Sequence, residues 1–345
     1  MATQDDGGVP FSIANDFSNF RLLELPEELL AILTSPNPPI LSLKSETDSS
    51  TAVICTDSQS FPIRQVHTSN TLFVAHSALL RASTEDDIPK DGVRAIASCA
   101  ATLELYTLKE SAIPYLRKLL PVYSSPESFT ANSTGQAYRS LSAVSNHVPL
   151  SYQEIEQGWI QICAFAKDGN CFRPTAASLL DVWKAMVSAS LAEDIPLNST
   201  FLVDDLWKAT KDSEFPRALF DAILARIADN DTMEDGDNSK WCSVEPKKCI
   251  IWIATLFLET QTRADQTIPV NGFLESWRNH LLEDWRDLAK LELIQDLCTQ
   301  PSPSTIGLKP EMRLSAPAKV VEQSAADKAP TKARKWHEKF KKGRT

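Results

Sequence analysis

A serine flanked by two histidines is the first feature of this sequence that could do chemistry. In "PIRQVHTSNTLFVAHS" (62–77), Ser69 lies between His67 and His76. A serine nucleophile needs an oriented base and an oxyanion hole, which a glycine-containing turn commonly supplies. This stretch contains no glycine and no carboxylate, whereas Asn70 suits the left-handed backbone of a bend. We therefore predict a connection between two strands and keep a hydrolase built on Ser69 and His67 as an alternative.

The rest of the sequence carries no motif of catalysis or cofactor binding. It has no GxGxxG, Walker, HExxH or GxSxG pattern and no Cys/His set at zinc spacing. Ten glycines in 345 residues leave few candidates for phosphate-binding loops. The other histidines, His147, His280 and His337, are far apart along the chain. We expect a protein that is not an enzyme and that needs no cofactor or metal.

Charge divides the chain into an acidic body and a basic end. Residues 1–300 contain 24 Lys and Arg against 41 Asp and Glu, a net charge of −17. Residues 301–345 contain 11 against 4, a net charge of +7. Within this end, "TKARKWHEKFKKGR" (331–344) places Trp336 and Phe340 four residues apart, on one face of a helix if one forms. The pattern suits phosphate contact with base stacking or docking into a partner's groove, and a nuclear-import signal is the alternative.

The cysteines and the hydropathy indicate the compartment. Seven cysteines form no CxxC pair and lie mostly in apolar runs, which is typical of a reducing environment. The N-terminus is acidic and lacks an apolar leader, and the longest apolar run, "CIIWIATLFL" (249–258), is too short to span a bilayer. We expect a soluble intracellular protein with no membrane partner.

The hydrophobic pattern predicts a β-rich first part and a helical second part. After a strand at Leu22 to Leu25 and a short helix behind Pro26, six short strand-like segments occur without an intervening helix. Their order favours an α+β protein with an antiparallel β-barrel-like N-terminal domain. The six segments are 40–45, 51–56, 60–66, 71–76, 92–99 and 101–107.

The helical part contains an apparent repeat. Trp159 lies 24 residues before Trp183, and Trp252 lies 25 residues before Trp277. We interpret this spacing as two copies of one module, with three helices and a β-hairpin in each, which describes a winged helix. Chance similarity between amphipathic helices is the alternative.

These patterns predict six segments along the chain. They are a disordered N-terminus (1–19), a partner-completed barrel domain (20–107), a helical or winged-helix region (108–228), an acidic linker (229–240), a C-terminal winged helix (241–315) and a disordered basic tail (316–345).

Five stretches of the sequence resemble the Dcc-one family, the "defective in sister chromatid cohesion" subunit of an alternative replication factor C clamp loader. They are "FRLLELPEEL", "AVICTDSQSFPIRQVHTSNTLFV", "ASCAATLELY", "EIEQGWIQICAFAKDGNCFRP" and "FLESWRNHLLEDW". The resemblance implies a composite barrel formed with the small chromosome-transmission-fidelity subunit and the large ATPase subunit, and no ATPase activity of the chain itself. It also implies docking onto DNA polymerase epsilon, contact with DNA through C-terminal winged helices, and action of the complex on PCNA in the nucleus.

Two sets of candidate binding residues follow. A barrel that lacks strands leaves unpaired backbone groups at an edge, which a partner strand can satisfy. We predict "AVICT" and "TLFVA" as such edges, and the partner-binding residues as Val53, Ile54, Thr68, Ser69, Asn70, Leu72 and Phe73.

For DNA, the predicted third helix of the last module, "DWRDLAKLELIQDLC" (284–298), is too acidic for strong duplex affinity. We therefore predict contacts from the wing and the tail. These residues are Lys309, Arg313, Lys332, Arg334, Lys335, Lys339, Lys341, Lys342 and Arg344. A winged-helix protein-interaction adaptor of another nuclear or cytosolic assembly remains the alternative function.

Overall fold

Two long antiparallel strands, β5 (Ser60–Leu80) and β6 (Lys90–Leu105), organise the N-terminal part of the computed structural model. The structure describes residues 9–80, 90–107, 110–125, 138–210, 214–229, 235–236, 239–263 and 266–315. The N-terminal sheet has the order β1-β6-β5-β4-β3, and β2 also pairs with β6. It curls into a half-barrel within a mixed α+β fold. The short elements are β1 (Phe11–Ile13), β2 (Leu22–Glu24), α1 (Glu27–Leu33), β3 (Ser42–Lys44) and β4 (Val53–Cys55).

The predicted turn at residues 68–70 is a bulge within one strand. Both halves of β5 pair with β6, so that His67 faces Ala101 and Leu72 faces Cys99. Four residues of β5 therefore stand opposite a single residue of β6. The shared partner strand holds both halves in line, and the excess residues are absorbed as an irregularity instead of a reversal of the chain. In the same way, the predicted strands 92–99 and 101–107 form the one strand β6.

The N-terminal segment 1–19, expected to be disordered, contributes β1 to the sheet. β1 runs parallel to β6 with Phe11 opposite Val93, and the Val93 amide donates to the Pro10 carbonyl at 2.8 Å. Three residues of alternating pattern are too few to stand out in a sequence as a strand. Residues 1–8 of this segment lie outside the described part of the chain.

Three modules of similar element order follow the half-barrel. Each begins with a helix and a short strand, continues with two helical segments, and ends in a β-hairpin. In each three-stranded sheet the second hairpin strand is central, giving the orders β7-β9-β8, β10-β12-β11 and β13-β15-β14. We call the modules A (113–174), B (176–242) and C (246–308).

The element bounds of the modules are as follows. Module A consists of α2 (Ile113–Leu119), β7 (Val122–Tyr123), α3 (Leu141–Ser145), α4 (Tyr152–Gln161), β8 (Phe165–Lys167) and β9 (Asn170–Pro174). Module B consists of α5 (Ala176–Ala192), β10 (Phe201–Leu202), α6 (Val203–Ala209), α7 (Arg217–Ile227), β11 (Asp235–Gly236) and β12 (Ser239–Cys242). Module C consists of α8 (Pro246–Gln261), β13 (Ile268–Pro269), α9 (Val270–Asn279), the 3-10 helices Glu283–Leu288 and Leu291–Leu293, β14 (Cys298–Ser302) and β15 (Thr305–Leu308).

The repeat that the sequence suggested is therefore shifted by part of a module. Trp183 and Trp252 lie in the first helices of modules B and C, and Trp207 and Trp277 lie in their second helices. Trp159 belongs to α4, the third helix of module A, so its spacing to Trp183 crosses from one module into the next. The apparent repeat therefore matched tryptophans of helices that are not equivalent.

The acidic segment 229–240, expected to be a linker, carries β11 and the start of β12. Because β12 pairs with β10, with Phe201 opposite Cys242, the end of this segment belongs to the sheet of module B. In module C, the predicted third helix consists of two 3-10 helices. Trp285 stacks on Trp183 with ring centroids 6.4 Å apart, and this tertiary contact accompanies tight turns in place of a regular α-helix.

Modules B and C share one hydrophobic core. Trp183 meets Trp252 edge to face at 6.5 Å, and its indole N–H donates to the His280 carbonyl at 2.8 Å. The Trp277 indole N–H donates to the Ile250 carbonyl at 3.0 Å. The indoles of Trp183 and Trp277 therefore each have a hydrogen-bond partner, which buried tryptophan requires. The two modules are held together by interior packing.

Module A is fixed to the half-barrel by the capping box of α4. Ser151 and Glu154 form this box, and Ser60 of β5 joins it: its hydroxyl donates to Glu154 Oε2 at 2.5 Å and accepts from the Ser151 amide at 2.7 Å. A helix cap is thus shared with a neighbouring sheet, so the sheet and the helix cannot separate without breaking it.

A half-buried lysine makes a second connection between the half-barrel and module A. The Lys44 ammonium of β3 donates to the carbonyls of Leu150 at 2.7 Å and Ser145 at 3.1 Å. Burial lowers the pKa of Lys44 below its usual 10.5, and the charges of Cys55 and Glu154 oppose this shift. The connection holds the orientation of the sheet relative to the helices.

Replacing Lys44 by Met should destabilise the protein by about 1–3 kcal/mol, because two carbonyls lose their donor in a buried setting. Thermal or urea unfolding measures this change. The lowered pKa of Lys44 also fixes the sign of the pH dependence of stability. Just below pH 10.5, the folded protein binds fewer protons at Lys44 than the unfolded chain does. The contribution of Lys44 to the free energy of unfolding therefore increases as the pH rises in that window. Lys118→Met is the matched control, since Lys118 forms an exposed ion pair with Glu46 and should cost under about 1 kcal/mol.

Gly158→Ala should destabilise module A by about 1–3 kcal/mol through overpacking. A Cβ atom at Gly158 would lie 2.8 Å from Ala112 Cβ and 3.3 Å from Leu116 Cδ1, where α4 crosses α2. Gly272→Ala on α9 is the control, because a Cβ there meets nothing within 4 Å. This substitution removes the conformational freedom of glycine in the unfolded chain and should stabilise the protein by up to about 1 kcal/mol. Equal unfolding midpoints for the two variants would contradict the close packing of α2 on α4.

Candidate functional site

The long strand β5 has one edge without a strand neighbour. β4 pairs only with Ser60–Pro62 at the start of β5, and from Leu72 to Leu79 every strand pairing of β5 in the described chain is to β6. Eight residues at about 3.3 Å each give an edge of about 26 Å. Backbone amide and carbonyl groups along this edge are available to a strand from another chain.

Large apolar side chains accompany the open edge. Phe73 is 47 % exposed and Leu79 is 68 % exposed, while Phe11 and Ile13 of β1 are each 57 % exposed. Phe11 and Phe73 touch edge to face with centroids 6.4 Å apart. Adjacent residues of a strand point to opposite faces, so the exposure of both Leu72 and Phe73 leaves apolar surface on both faces of the sheet.

The half-barrel has little core of its own. Its buried cluster consists of Leu29, Phe61 and Leu105, with four partly buried neighbours. Of the twenty exposed large hydrophobic residues in the described chain, fourteen lie in the first 106 residues. Exposed apolar side chains are thus concentrated in the half-barrel, whereas modules A to C have large buried clusters. Such a surface is typical of a site for another protein.

The predicted partner-binding residues divide into two groups. Val53 and Ile54 lie in β4, which pairs with β3 on one side and β5 on the other. "AVICT" is therefore an interior strand, and its prediction as an edge is wrong. Leu72 and Phe73 lie on the open edge, as expected for "TLFVA". Ser69 and Asn70 are exposed in the bulge, and the side chain of Thr68 lies outside the described part of the structure.

The imidazoles near Ser69 have other partners. His67 Nε2 lies 3.1 Å from the Gln65 side-chain amide, and His76 Nδ1 lies 2.6 Å from the Ser77 carbonyl oxygen. Ser69 is exposed in the bulge of β5. This arrangement offers no general base for a serine nucleophile.

The thiols offer no nucleophile either. All seven cysteines are buried and free. Burial raises the pKa of Cys163 to about 12 and that of Cys298 to about 11, so both are neutral thiols at physiological pH. Among the described residues, no group of His, Cys, Asp and Glu is placed to hold a metal ion, and no helix is long and apolar enough to cross a membrane.

Of the two cations predicted in the wing, Arg313 has a structural role. Its side chain is 5 % exposed, and its guanidinium donates to the Thr262 carbonyl at 2.6 Å and the Arg263 carbonyl at 2.8 Å. These groups lie at the end of α8, so Arg313 fixes the last described segment to module C. Lys309 is half-buried and donates to the Asp296 carbonyl at 2.6 Å. The seven predicted tail cations lie outside the described residues.

The same segment also connects module C to module A. Arg117 of α2 donates to the Arg313 carbonyl, and Arg173 of β9 donates to the Leu314 carbonyl at 3.2 Å. Burial lowers the pKa of both Arg117 and Arg173, and the Glu259 carboxylate opposes this shift. Glu259 in turn accepts from the amides of Leu314 and Ser315 at 2.8 Å. The last described residues, Leu314 and Ser315, therefore lie where modules A and C meet.

Neither the open edge nor this connection could be located from residue types alone. The edge depends on where β4 stops along β5, and the connection depends on Arg117, Arg173 and Glu259, which are far apart in sequence. The available signal was the length of the apolar alternation through 71–80, which exceeds that of an ordinary strand.

A comparison with known proteins identifies the family. A family model described as "Sister chromatid cohesion protein Dcc1" matches residues 20–319, which include all three modules and the half-barrel except β1. A search of curated proteins found no significant match. The family is a cohesion family and is not known as a catalytic one. The chain belongs to the Dcc1 family of sister chromatid cohesion proteins.

Proposed function

We propose that the chain is a non-catalytic scaffold subunit of an alternative replication factor C clamp loader that acts on the PCNA sliding clamp in the nucleus. The observation that carries this proposal is the open edge of β5 from Leu72 to Leu79 with apolar residues on both faces. A strand from another subunit pairs with this edge and covers Phe73. In the proposal, the small chromosome-transmission-fidelity subunit and the large ATPase subunit supply the missing strands.

Modules A to C form the second part of the proposed scaffold. Three helical segments followed by a hairpin describe a winged helix, and the order of elements in each module supports that assignment. The half-barrel and module A are joined by Ser60, Glu154 and Lys44, so they can present one continuous surface. We assign this surface to DNA polymerase epsilon and the tail to DNA.

One observation favours an adaptor in a different assembly as the second candidate. The 3-10 helices of module C, where a winged helix would place its DNA-reading helix, expose Glu283, Asp284 and Asp287. Carboxylates at this position oppose phosphate binding and suit a protein partner. Clamp loading that is normal in cells lacking the protein would favour the adaptor.

Phe73→Lys should abolish co-purification of the strand-donating partners, because it places a charge where their apolar layer packs. Phe73 is 47 % exposed, so the chain alone should keep its unfolding midpoint. Affinity purification with mass spectrometry from cells measures the loss. Leu191→Lys is the matched control, since Leu191 is 72 % exposed on α5 of module B and should retain all partners. Full recovery of partners with Phe73→Lys would contradict the edge-completion proposal.

Deleting residues 328–345 should remove most of the salt-sensitive binding to duplex DNA. Seven cations between Lys332 and Arg344 predict that log affinity falls against log salt concentration with a slope of about −6, from about −0.9 per neutralised phosphate. Fluorescence anisotropy at several salt concentrations measures the slope. An unchanged slope after the deletion would show that the tail is no DNA contact and would leave its role to nuclear import.

A further inference from the structure

An apolar groove of about 370 Å³ opens between the start of α8 and the two 3-10 helices of module C. Ile250, Leu288 and Leu293 supply its apolar lining, and Lys247, Lys290 and Glu292 complete it. Leu288 is 50 % exposed, so a leucine side chain lies open beside the groove. A volume of this size holds one large aromatic side chain.

The surface around the groove is acidic. Residues 283–296 carry five carboxylates and two cations, a net charge of −3. The carboxylates of Glu283, Asp284, Asp287 and Glu292 are all exposed. A ligand with an apolar anchor and several flanking cations would satisfy both the groove and its surroundings.

We propose that the chain's own basic segment 331–344 docks in this groove, with Trp336 or Phe340 as the anchor. A helix places the two aromatic residues on one face, as an amphipathic helix bound in a groove requires. The surrounding carboxylates pair with the segment's cations. The proposal rests on the proposed function of the tail as a DNA contact, because the same cations serve both interactions.

The attachment point of the tail places the groove within reach. Leu314 and Ser315 are bonded to Glu259 on α8, and Ile250 of the groove lies nine residues earlier on the same helix. A rise of 1.5 Å per residue separates them by about 14 Å along the helix axis. A flexible chain of twenty residues, the number from 316 to 335, would span about 25 Å, which is long enough for a tether and would give the tail a local concentration in the millimolar range.

Lys247 and Lys290 make an acidic peptide from another protein the competing occupant. The charge of the wider surface disfavours an acidic peptide, since residues 283–296 contain five carboxylates against the two cations Arg286 and Lys290. The stems of both lysines can pack against an indole, and their ammonium groups interact favourably with its face. The tail therefore matches the groove in shape, charge and position.

Docking and DNA binding exclude each other. If the tail occupies the groove nine-tenths of the time, the apparent dissociation constant for DNA rises about tenfold, because only the free fraction binds. The groove would thus set how readily the tail engages DNA.

Photo-crosslinking tests the docking directly. Full-length protein carrying p-benzoylphenylalanine in place of Phe340 should crosslink within one chain to peptides containing residues 247–250 or 283–293, as mapped by mass spectrometry. Crosslinks to other surfaces of the chain, between two chains or only to other proteins would overturn the proposal, and so would none at all.

A groove variant tests the consequence for DNA. Leu288→Gln should tighten duplex binding by up to about tenfold, and this gain should vanish when residues 328–345 are deleted. Leu191→Gln, at an exposed leucine of module B, should leave binding unchanged. If Leu288→Gln binds duplex DNA with wild-type affinity, the proposed competition between docking and DNA binding is overturned. If the tail binds no DNA in any variant, the proposed DNA contact fails, while the crosslink to 283–293 still decides the docking.

Discussion

A strand that is paired along one edge only is the constraint on which this structure depends. Backbone amide and carbonyl groups need partners once apolar side chains around them are covered. Leu72 to Leu79 of β5 provides such groups beside Phe73 and Leu79, which are 47 % and 68 % exposed. The half-barrel buries few large side chains of its own, and its core cluster consists of Leu29, Phe61 and Leu105. A surface of this kind is suited to assembly with another protein.

The remainder of the molecule is arranged to hold the open sheet in a fixed position. Ser60 shares the capping box of α4, and Lys44 reaches the carbonyls that precede this helix. Modules B and C share the packing of Trp183 against Trp285. Arg313 and Arg117 then connect the end of module C back to module A. Polar contacts thus join units whose interiors are apolar, so the open sheet edge and the last described residues belong to one connected body.

Local sequence patterns predicted what depends on neighbouring residues. The α+β class, the helix behind Pro26 and the exposed "TLFVA" segment all follow from short-range alternation or spacing. Long-range pairing decided the rest. Pairing with β6 makes the expected turn at Ser69 a bulge within β5. Val53 lies in an interior strand because β4 pairs with both β3 and β5. Arg313 is buried because its guanidinium donates to the Thr262 carbonyl. The module repeat was offset because a spacing of 24 residues separates Trp159 from Trp183 and also Trp183 from Trp207.

Hydrogen–deuterium exchange of residues 72–79 tests the central claim most directly. The amides of β5 that face away from β6 should exchange quickly in the isolated chain and become protected when the purified assembly forms. The amides that face β6 should be protected in both states and serve as the internal reference. Protection of the whole segment in the isolated chain, or fast exchange of its outer amides in the assembly, would contradict an edge completed by another subunit.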